Sequence, residues 1–99
     1  APLNPGVTEE QARRLYEDSY KDEYFVRVLP KGVGADIRNV RCSNYCDIQI
    51  YTDRRAGLLI VTSVIDNMVK GAAGQAIQNM NLMFGFGETD GIDMIPPAF

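Results

Sequence analysis

The spacing of apolar residues changes along the chain, and each change marks the start of a predicted helix or strand. Thr8 is typical of a helix N-cap, and Gln11 three residues later completes a capping box. Apolar residues then recur at helical spacing on one face. This pattern predicts a first helix from about residue 8 to residue 21, with an apolar face formed by Ala12, Leu15, Tyr16 and Tyr20.

A short apolar run follows this helix. Residues 25–29 alternate β-branched and larger residues, and Pro30 ends the run, so we predict a short strand. A loop rich in glycine follows it. Residues 37–41 are a candidate for a second short strand.

The middle of the chain has the pattern of a β-hairpin. Residues 47–51 alternate between polar and apolar, so Ile48 and Ile50 should face the same side of a half-buried strand. A polar turn at residues 53–57 separates this strand from the apolar, β-branched run 58–64. The two runs therefore predict an antiparallel hairpin.

The apolar run ends at Asp66 and Asn67, and a helical pattern begins at Met68. Its expected buried face comprises Ala73, Ile77, Met80 and Phe84, widened by Ala72, Ala76 and Met83. Gly85 and Gly87 are plausible stops. Together these segments predict an α+β fold in which helices pack on a mixed or antiparallel sheet.

Two glycines in the first turns of this second helix need a reason. Gly71 and Gly74 each cost up to ~1 kcal/mol of helix stability relative to alanine. Another element or a ligand should therefore approach closely there, and the residues alone favour tight packing. Asn67, at the strand-to-helix junction, can cap the helix or offer a donor and an acceptor to a carboxamide, and position alone favours the cap.

Composition excludes several classes of protein. The net charge of −3 and the lack of a basic patch argue against nucleic acid as a partner. No apolar stretch approaches the ~20 residues that a membrane-spanning helix needs. We expect a cytoplasmic protein, or one of an organelle matrix if eukaryotic.

The candidate chemistry is limited. The chain has no histidine, which removes the commonest general base and metal ligand, and we expect no metal site. Cys42 and Cys46 make no disulfide framework and have no base beside them, so we interpret them as structural. Arg41 could bind a phosphate or carboxylate through paired hydrogen bonds, or form a surface ion pair.

Three stretches resemble the C-terminal part of the N-acetyl-γ-glutamyl-phosphate reductase family. They are residues 25–30 (FVRVLP), 40–48 (VRCSNYCDI) and 64–85 (VIDNMVKGAAGQAIQNMNLMFG), and the likeness extends from about residue 5 to residue 91. Cys42 departs from the pattern, because the family usually has glycine there.

The resemblance implies an NADPH-dependent enzyme of arginine biosynthesis. In that family a cysteine thiolate attacks an acyl phosphate, phosphate leaves, and hydride reduces the thioester to a semialdehyde. The implied fold is that of the glyceraldehyde-phosphate-dehydrogenase-like group, in which an α+β domain accompanies a Rossmann domain. Implied partners are a small-molecule acyl phosphate and further copies of the same chain in a homo-oligomer.

The family's nucleophilic cysteine and its histidine precede the matched region, so we expect a fragment without catalytic residues of its own. Residues 1–66 would belong to the catalytic and dimerisation domain. Residues 67–99 would form a returning helix and an irregular tail that pack on a Rossmann domain. Without that domain, the apolar face of the helix should cause self-association or a changed helix position.

The resemblance also implies site residues. Asn67 matches the residue that hydrogen-bonds the nicotinamide carboxamide in this fold group, so the resemblance reverses the preference for a cap. Gly71 and Gly74 would lie close to the cofactor. The implied substrate-pocket residues are Arg41, Ser43, Asn44 and Tyr45, with Arg41 the one expected to bind phosphate or carboxylate.

Two alternatives stay open. The first is a stand-alone binding or regulatory module of the same fold without catalysis. The second is an enzyme of the same dehydrogenase group, such as one similar to aspartate-semialdehyde dehydrogenase.

Overall fold

A computed structural model describes residues 1–98, and its first helix, α1 (Glu9–Tyr20), begins at the predicted capping box. The backbone N–H of Gln11 donates to the Thr8 hydroxyl at 3.2 Å, and the Gln11 side chain accepts from the Thr8 N–H at 3.0 Å. The helix prediction is confirmed. Its expected apolar face is buried only in part, because Ala12 is buried whereas Leu15 is 65% exposed.

The sheet has three strands, β1 (Val26–Val28), β2 (Cys46–Asp53) and β3 (Leu58–Ile65), in the order β1-β2-β3. β1 pairs with β2 in parallel, and β2 pairs with β3 antiparallel. The predicted hairpin is confirmed, and its register runs from Cys46 opposite Ile65 to Asp53 opposite Leu58. Three strands in a mixed sheet with two α-helices make an α+β arrangement, as expected.

The central strand β2 is more buried than its pattern predicts. Ile48 and Ile50 are buried on one face, but Asp47 and Gln49 on the other face are buried as well. Arginine side chains satisfy the second face, because Arg27 contacts Asp47 at 2.6 Å and another guanidinium bonds Gln49. The prediction of a half-buried strand is therefore wrong. Polar residues that are buried with hydrogen-bond partners give the same polar–apolar alternation in sequence as polar residues that face solvent.

Arg13 is the guanidinium that joins α1 to the sheet. Its Nη1 donates to the Leu29 carbonyl and to the Gln49 side chain, both at 2.7 Å, and its Nη2 donates to the Ile50 carbonyl at 2.9 Å. Charge-assisted bonds of this kind are stronger than neutral ones. Arg13 therefore fixes the distance between the helix and the central strand.

The candidate strand at residues 37–41 is wrong. A short 3₁₀-helix occupies Ile37–Asn39 instead. The Asp36 carboxylate accepts from the Arg38 backbone N–H at 2.9 Å and from its guanidinium at 2.7 Å. A side chain that bonds two residues ahead favours a turn over a strand.

A helical segment follows β3, as predicted, but it begins with a π-helical turn at Val69–Ala73 before α2 (Gly74–Phe84). Gly85 ends α2 in the left-handed conformation with φ of 71°, so the predicted stop is confirmed. The predicted tail has no helix or strand from residue 86 to residue 98. Its last position, Phe99, lies outside the described residues.

The second helix buries the opposite face to the one expected. Its buried residues are Gly74, Gln78 and Asn81, whereas Met83 is 79% exposed and Phe84 69% exposed. We define the exposed apolar surface of α2 by these residues: Ile77, Met80, Leu82, Met83, Phe84 and Phe86. The prediction of a well-buried apolar face is wrong for this chain on its own.

Hydrogen bonding explains this orientation. The Gln78 amide donates to the Glu88 carboxylate at 2.8 Å, and the Asn81 amide donates to the carbonyls of Glu88 and Asp90 at 3.2 and 3.0 Å. Buried amides need such partners, and only the inward side supplies them here. Within residues 1–98 no helix is long and apolar enough to cross a membrane.

We expect the isolated chain to self-associate through the exposed apolar surface of α2. An apolar surface of this kind is rare on soluble monomers because burying it is favourable. The double variant Met83→Glu, Phe84→Glu should shift the protein towards monomer in sedimentation velocity at rising concentration.

The matched control is Leu15→Glu, Val33→Glu, which places the same two negative charges at exposed apolar residues outside α2. It should leave the association unchanged. A wild-type chain that stays a compact monomer at high concentration would contradict the prediction.

Candidate functional site

The two groups of predicted site residues lie side by side. We call residues 41–45 the 41–45 loop, and residues 66–74 the β3–α2 junction. The Cys42 backbone N–H donates to the Asp66 carboxylate at 2.8 Å, and the Asn44 side chain lies against Gly74. The two segments are far apart in sequence, so the sequence alone does not predict this contact. It forms because the 41–45 loop leads into β2, the β3–α2 junction leaves β3, and these two strands pair antiparallel.

Asp66, not Asn67, bonds the backbone N–H groups at the start of the helical segment. One oxygen of the Asp66 carboxylate accepts from the backbone N–H groups of Met68 at 2.8 Å and Val69 at 3.1 Å. Asn67 is exposed, and its side chain makes no hydrogen bond with the described residues. The cap that position alone favoured for Asn67 is therefore wrong, which leaves both groups of its amide accessible.

The two glycines of the junction have different surroundings. A Cβ on Gly74 would overlap the Asn44 side-chain oxygen and approach the Val69 carbonyl oxygen at 2.7 Å. A Cβ on Gly71 would lie 3.3 Å from the Asn67 side-chain oxygen, a tight contact that the exposed Asn67 side chain can relieve by a small shift. Gly74 is thus required by packing against the 41–45 loop, and its predicted contact with a cofactor stays untested.

Ser43 and Asn44 are fully buried. The Ser43 hydroxyl donates to the Val40 carbonyl at 2.6 Å, and the Asn44 amide donates to the Gln78 side chain at 3.0 Å. Their side chains hold the loop from inside in this structure. The predicted direct contact of these two residues with substrate stays a prediction.

Arg41 and Tyr45 are half-buried, so both keep accessible surface. The Tyr45 ring stacks on Tyr24 with centroids 6.1 Å apart, and the Arg27 guanidinium carbon lies 4.2 Å from its centroid. A hydrogen bond with Tyr24 is the main cause that raises the pKa of Tyr45 above its usual value, and burial raises it further. Tyr45 is therefore neutral near pH 7 and is held by an aromatic cluster that includes Phe25.

A polar network under the junction was not anticipated. Lys70 Nζ donates to Gln78 Oε1 at 2.7 Å, and the same oxygen accepts from Asn44. Burial lowers the pKa of Lys70, while the nearby Cys46 and Glu88 oppose that shift. The sequence did contain a signal for this network, because Lys70 and Gln78 are polar residues within an apolar helical segment. Such groups are buried only when they are paired.

The two cysteines are free, with Cys42 exposed and Cys46 half-buried. Burial raises the pKa of the Cys46 thiol, which makes it a poorer nucleophile at neutral pH. Cys42 has φ of 59°, the left-handed conformation in which glycine carries no steric cost. Among residues 1–98, no group of three or more acidic, cysteine or histidine side chains could hold a metal ion.

The family model described as "Semialdehyde dehydrogenase, dimerisation domain" matches residues 1–67. The chain belongs to the semialdehyde dehydrogenase dimerisation-domain family. Three relatives are each named N-acetyl-gamma-glutamyl-phosphate reductase. The relative from Desulfotalea psychrophila is 53% identical over 97% of this chain, that from Clostridium beijerinckii 53% over 94%, and that from Corynebacterium efficiens 55% over 93%.

The resemblance stated from the sequence motifs is confirmed by these relatives. The chain spans about a quarter of their length, namely 28%, 27% and 26% of the three relatives, and the matched region is their C-terminal part. This coverage agrees with the expected fragment of a reductase.

We expect Gly74→Ala and Gly71→Ala to affect stability in opposite ways. The added methyl at residue 74 overlaps Asn44 and Val69, and overpacking of this kind costs about 1–3 kcal/mol. At residue 71 the neighbours are 3.3 Å away or farther, so alanine should be neutral or gain up to ~1 kcal/mol of helix stability.

Urea unfolding of each variant measures this difference, and Gly71→Ala is the matched control. Equal destabilisation by both substitutions would contradict the packing role of Gly74.

Proposed function

We propose that the complete protein is an NADPH-dependent N-acetyl-γ-glutamyl-phosphate reductase, which converts an N-acetylglutamyl acyl phosphate to the semialdehyde. The identity of over 50% to relatives with that name, over nearly the whole chain, is the observation that carries the proposal. This chain supplies residues that bind and orient, and the nucleophile lies in sequence outside it.

Asn67 is proposed to hydrogen-bond the carboxamide of the nicotinamide ring. Its amide is exposed, offers a donor and an acceptor, and is bonded to no described residue. A side chain on Gly71 would begin 3.3 Å from the Asn67 side-chain oxygen, so glycine at this position leaves the Asn67 amide able to turn towards a ligand. These features fit the group, which would supply hydride when bound, while Asn67 fixes the orientation of its ring.

Arg41 is proposed to bind the phosphate or carboxylate of the substrate. A guanidinium can form two parallel charge-assisted bonds to either group. Tyr45 borders the same loop with a neutral ring, and Ser43 and Asn44 hold the backbone from inside. Of the four predicted residues, Arg41 and Tyr45 are therefore proposed to contact the substrate. Ser43 and Asn44 are proposed to support the loop that carries them.

The exposed apolar surface of α2 is proposed to pack on a nucleotide-binding domain in the complete protein. Residues 67–99 would then be the returning segment, and residues 1–66 the catalytic and dimerisation part. β3 supports a homo-oligomer, because it is an edge strand on which residues 1–3 cover only the start, at Leu58 and Leu59, while Ile60 is 46% exposed and Val61 40% exposed. An edge of this kind pairs readily with another chain.

Two other functions are compatible with the same fold. A non-catalytic module would keep the sheet without binding a cofactor at Asn67. A relative of aspartate-semialdehyde dehydrogenase would use the same arrangement for a different acyl phosphate, and substrate competition with the full-length protein would separate the two enzymes.

The isolated chain is expected to show no turnover. It contains no histidine, and burial raises the pKa of the Cys46 thiol despite the nearby Lys70, which disfavours a reactive thiolate. Oxidation of NADPH in the presence of acyl phosphate, followed by the absorbance of the reduced nicotinamide, should equal background. A rate above background would contradict the assignment of the nucleophile to sequence outside this chain.

In the full-length enzyme we expect Asn67→Ala to raise KM for NADPH, or to lower kcat, by about tenfold, because one or two hydrogen bonds to the carboxamide are lost. Steady-state kinetics with each substrate varied in turn measures the effect. The control is Asn4→Ala, which removes an exposed amide near Gly57 at the opposite end of the hairpin.

An unchanged KM and an unchanged kcat for Asn67→Ala would favour the non-catalytic module. A similar loss in Asn4→Ala would show that the effect does not depend on the junction.

A further inference from the structure

One carboxylate connects the two groups of proposed site residues. Asp66 Oδ1 accepts from the N–H groups of Met68 at 2.8 Å and Val69 at 3.1 Å, which belong to the β3–α2 junction. Asp66 Oδ2 accepts from the Cys42 N–H at 2.8 Å, which belongs to the 41–45 loop. Each oxygen of the same group therefore holds a different segment.

The neighbours of these bonded residues are the proposed ligand contacts. Asp66 directly precedes Asn67, and Cys42 directly follows Arg41. The Asp66–Cys42 hydrogen bond therefore joins the residue next to Asn67, the proposed cofactor contact, to the residue next to Arg41, the proposed substrate contact. Movement of this bond would change the distance between the two contacts.

The backbone at Cys42 needs an external partner. Its φ of 59° is left-handed, a conformation that residues with a Cβ rarely adopt. The bond to Asp66 stabilises it from across the site. The three backbone N–H groups also lower the pKa of Asp66, so the carboxylate stays ionised and its bonds stay charge-assisted.

The loop is also held at its other end. Asn44 packs on Gly74 and donates to Gln78 at 3.0 Å, which anchors that end on α2. The 41–45 loop is therefore bonded to the junction at Cys42 and to α2 at Asn44. Hydride transfer depends on a fixed distance between substrate and nicotinamide, so a rigid connection here affects the reaction itself.

We propose that Asp66 is a positioning residue, whose carboxylate holds Arg41 and Asn67 in the relative placement that the substrate and the nicotinamide require. This inference rests on the proposed function. It predicts that loss of the Cys42 bond weakens use of the acyl phosphate more than use of NADPH.

The test is Asp66→Ser in the full-length reductase. A serine hydroxyl can still accept from the N–H groups two and three residues ahead, but it has no second oxygen for Cys42. We expect KM for the acyl phosphate to rise about tenfold, while KM for NADPH changes by less than about twofold.

The matched control is Asp53→Ser. The Asp53 carboxylate makes the same local turn, accepting from the N–H groups of Arg55 at 3.0 Å and Ala56 at 3.3 Å. It lies at the other end of the hairpin, opposite Leu58. Both KM values should stay at their wild-type level in this variant.

A second variant separates positioning from general stability. Adding Cys42→Gly to Asp66→Ser supplies a residue that adopts the left-handed conformation without a Cβ, so KM for the acyl phosphate should return towards wild type. Cys42→Ala in the same background keeps the Cβ and should give no recovery. A purely structural role for Asp66 would lower the melting temperature without this selective recovery.

A double-mutant cycle tests the connection to Arg41. If Asp66 acts through that residue, Asp66→Ser should have a smaller effect on KM for the acyl phosphate in an Arg41→Ala background than in wild type. Additive effects would overturn the proposal.

The single variants identify which idea fails. If Asn67→Ala and Arg41→Ala leave both KM values and kcat unchanged, the proposed function is wrong. If they act as expected but a folded Asp66→Ser enzyme has wild-type KM values, only the positioning role is wrong. Should Asp66→Ser not fold, Asp66→Asn keeps the shape and one acceptor oxygen, and the same selective rise is expected from it.

Discussion

The structure around the site depends on the three hydrogen bonds that the Asp66 carboxylate accepts. Two come from the start of the helical segment and one from Cys42 in the 41–45 loop. Because β2 and β3 pair antiparallel, the segments that flank them meet at one end of the hairpin, and their backbone N–H groups point towards the same space. A carboxylate, with two acceptor oxygens, can bond both sets of N–H groups from that position. The N-terminal end of the helical segment also stabilises its negative charge.

Polar contacts, rather than apolar packing, hold α2 against the 41–45 loop and the β3–α2 junction. Asn44 and Lys70 both donate to Gln78, and Gln78 in turn donates to Glu88. The network draws one side of α2 inward and leaves Met83 and Phe84 in solvent. An exposed apolar helix face is costly in an isolated chain, so its presence agrees with a chain that spans about a quarter of the relatives it matches. The same arrangement places Gly74 against Asn44 and explains why a side chain is excluded there.

The proposed division of roles follows from accessibility. Asn67 and Arg41 retain exposed surface at the edge of the site, whereas Ser43 and Asn44 are enclosed and bonded within the chain. The Asn67 amide can reach a ligand directly, whereas Arg41 can do so only through the part of its guanidinium other than the enclosed Nη2. The second pair shapes the loop. Cys42 has the left-handed backbone that glycine would adopt without a steric cost. The bond from Asp66 supplies a physical reason why a cysteine keeps this conformation.

Local sequence determined the helices, the hairpin and the family. The Thr8–Gln11 capping box predicted the start of α1, β-branched runs predicted the strands, and Gly85 predicted the end of α2, because each depends on neighbours within a few residues. Tertiary structure alone decided that Asp66 rather than Asn67 bonds the N–H groups at the start of the helical segment, that Asp47 and Gln49 are buried, and that α2 turns its polar side inward. The burial of Asp47 and Gln49 depends on arginines from other elements, and the second oxygen of Asp66 bonds Cys42, which lies 24 residues away. The orientation of α2 depends on Glu88, which lies beyond the end of the helix. Periodicity reports which residues share a face, and only the position of such partners decides which face is buried.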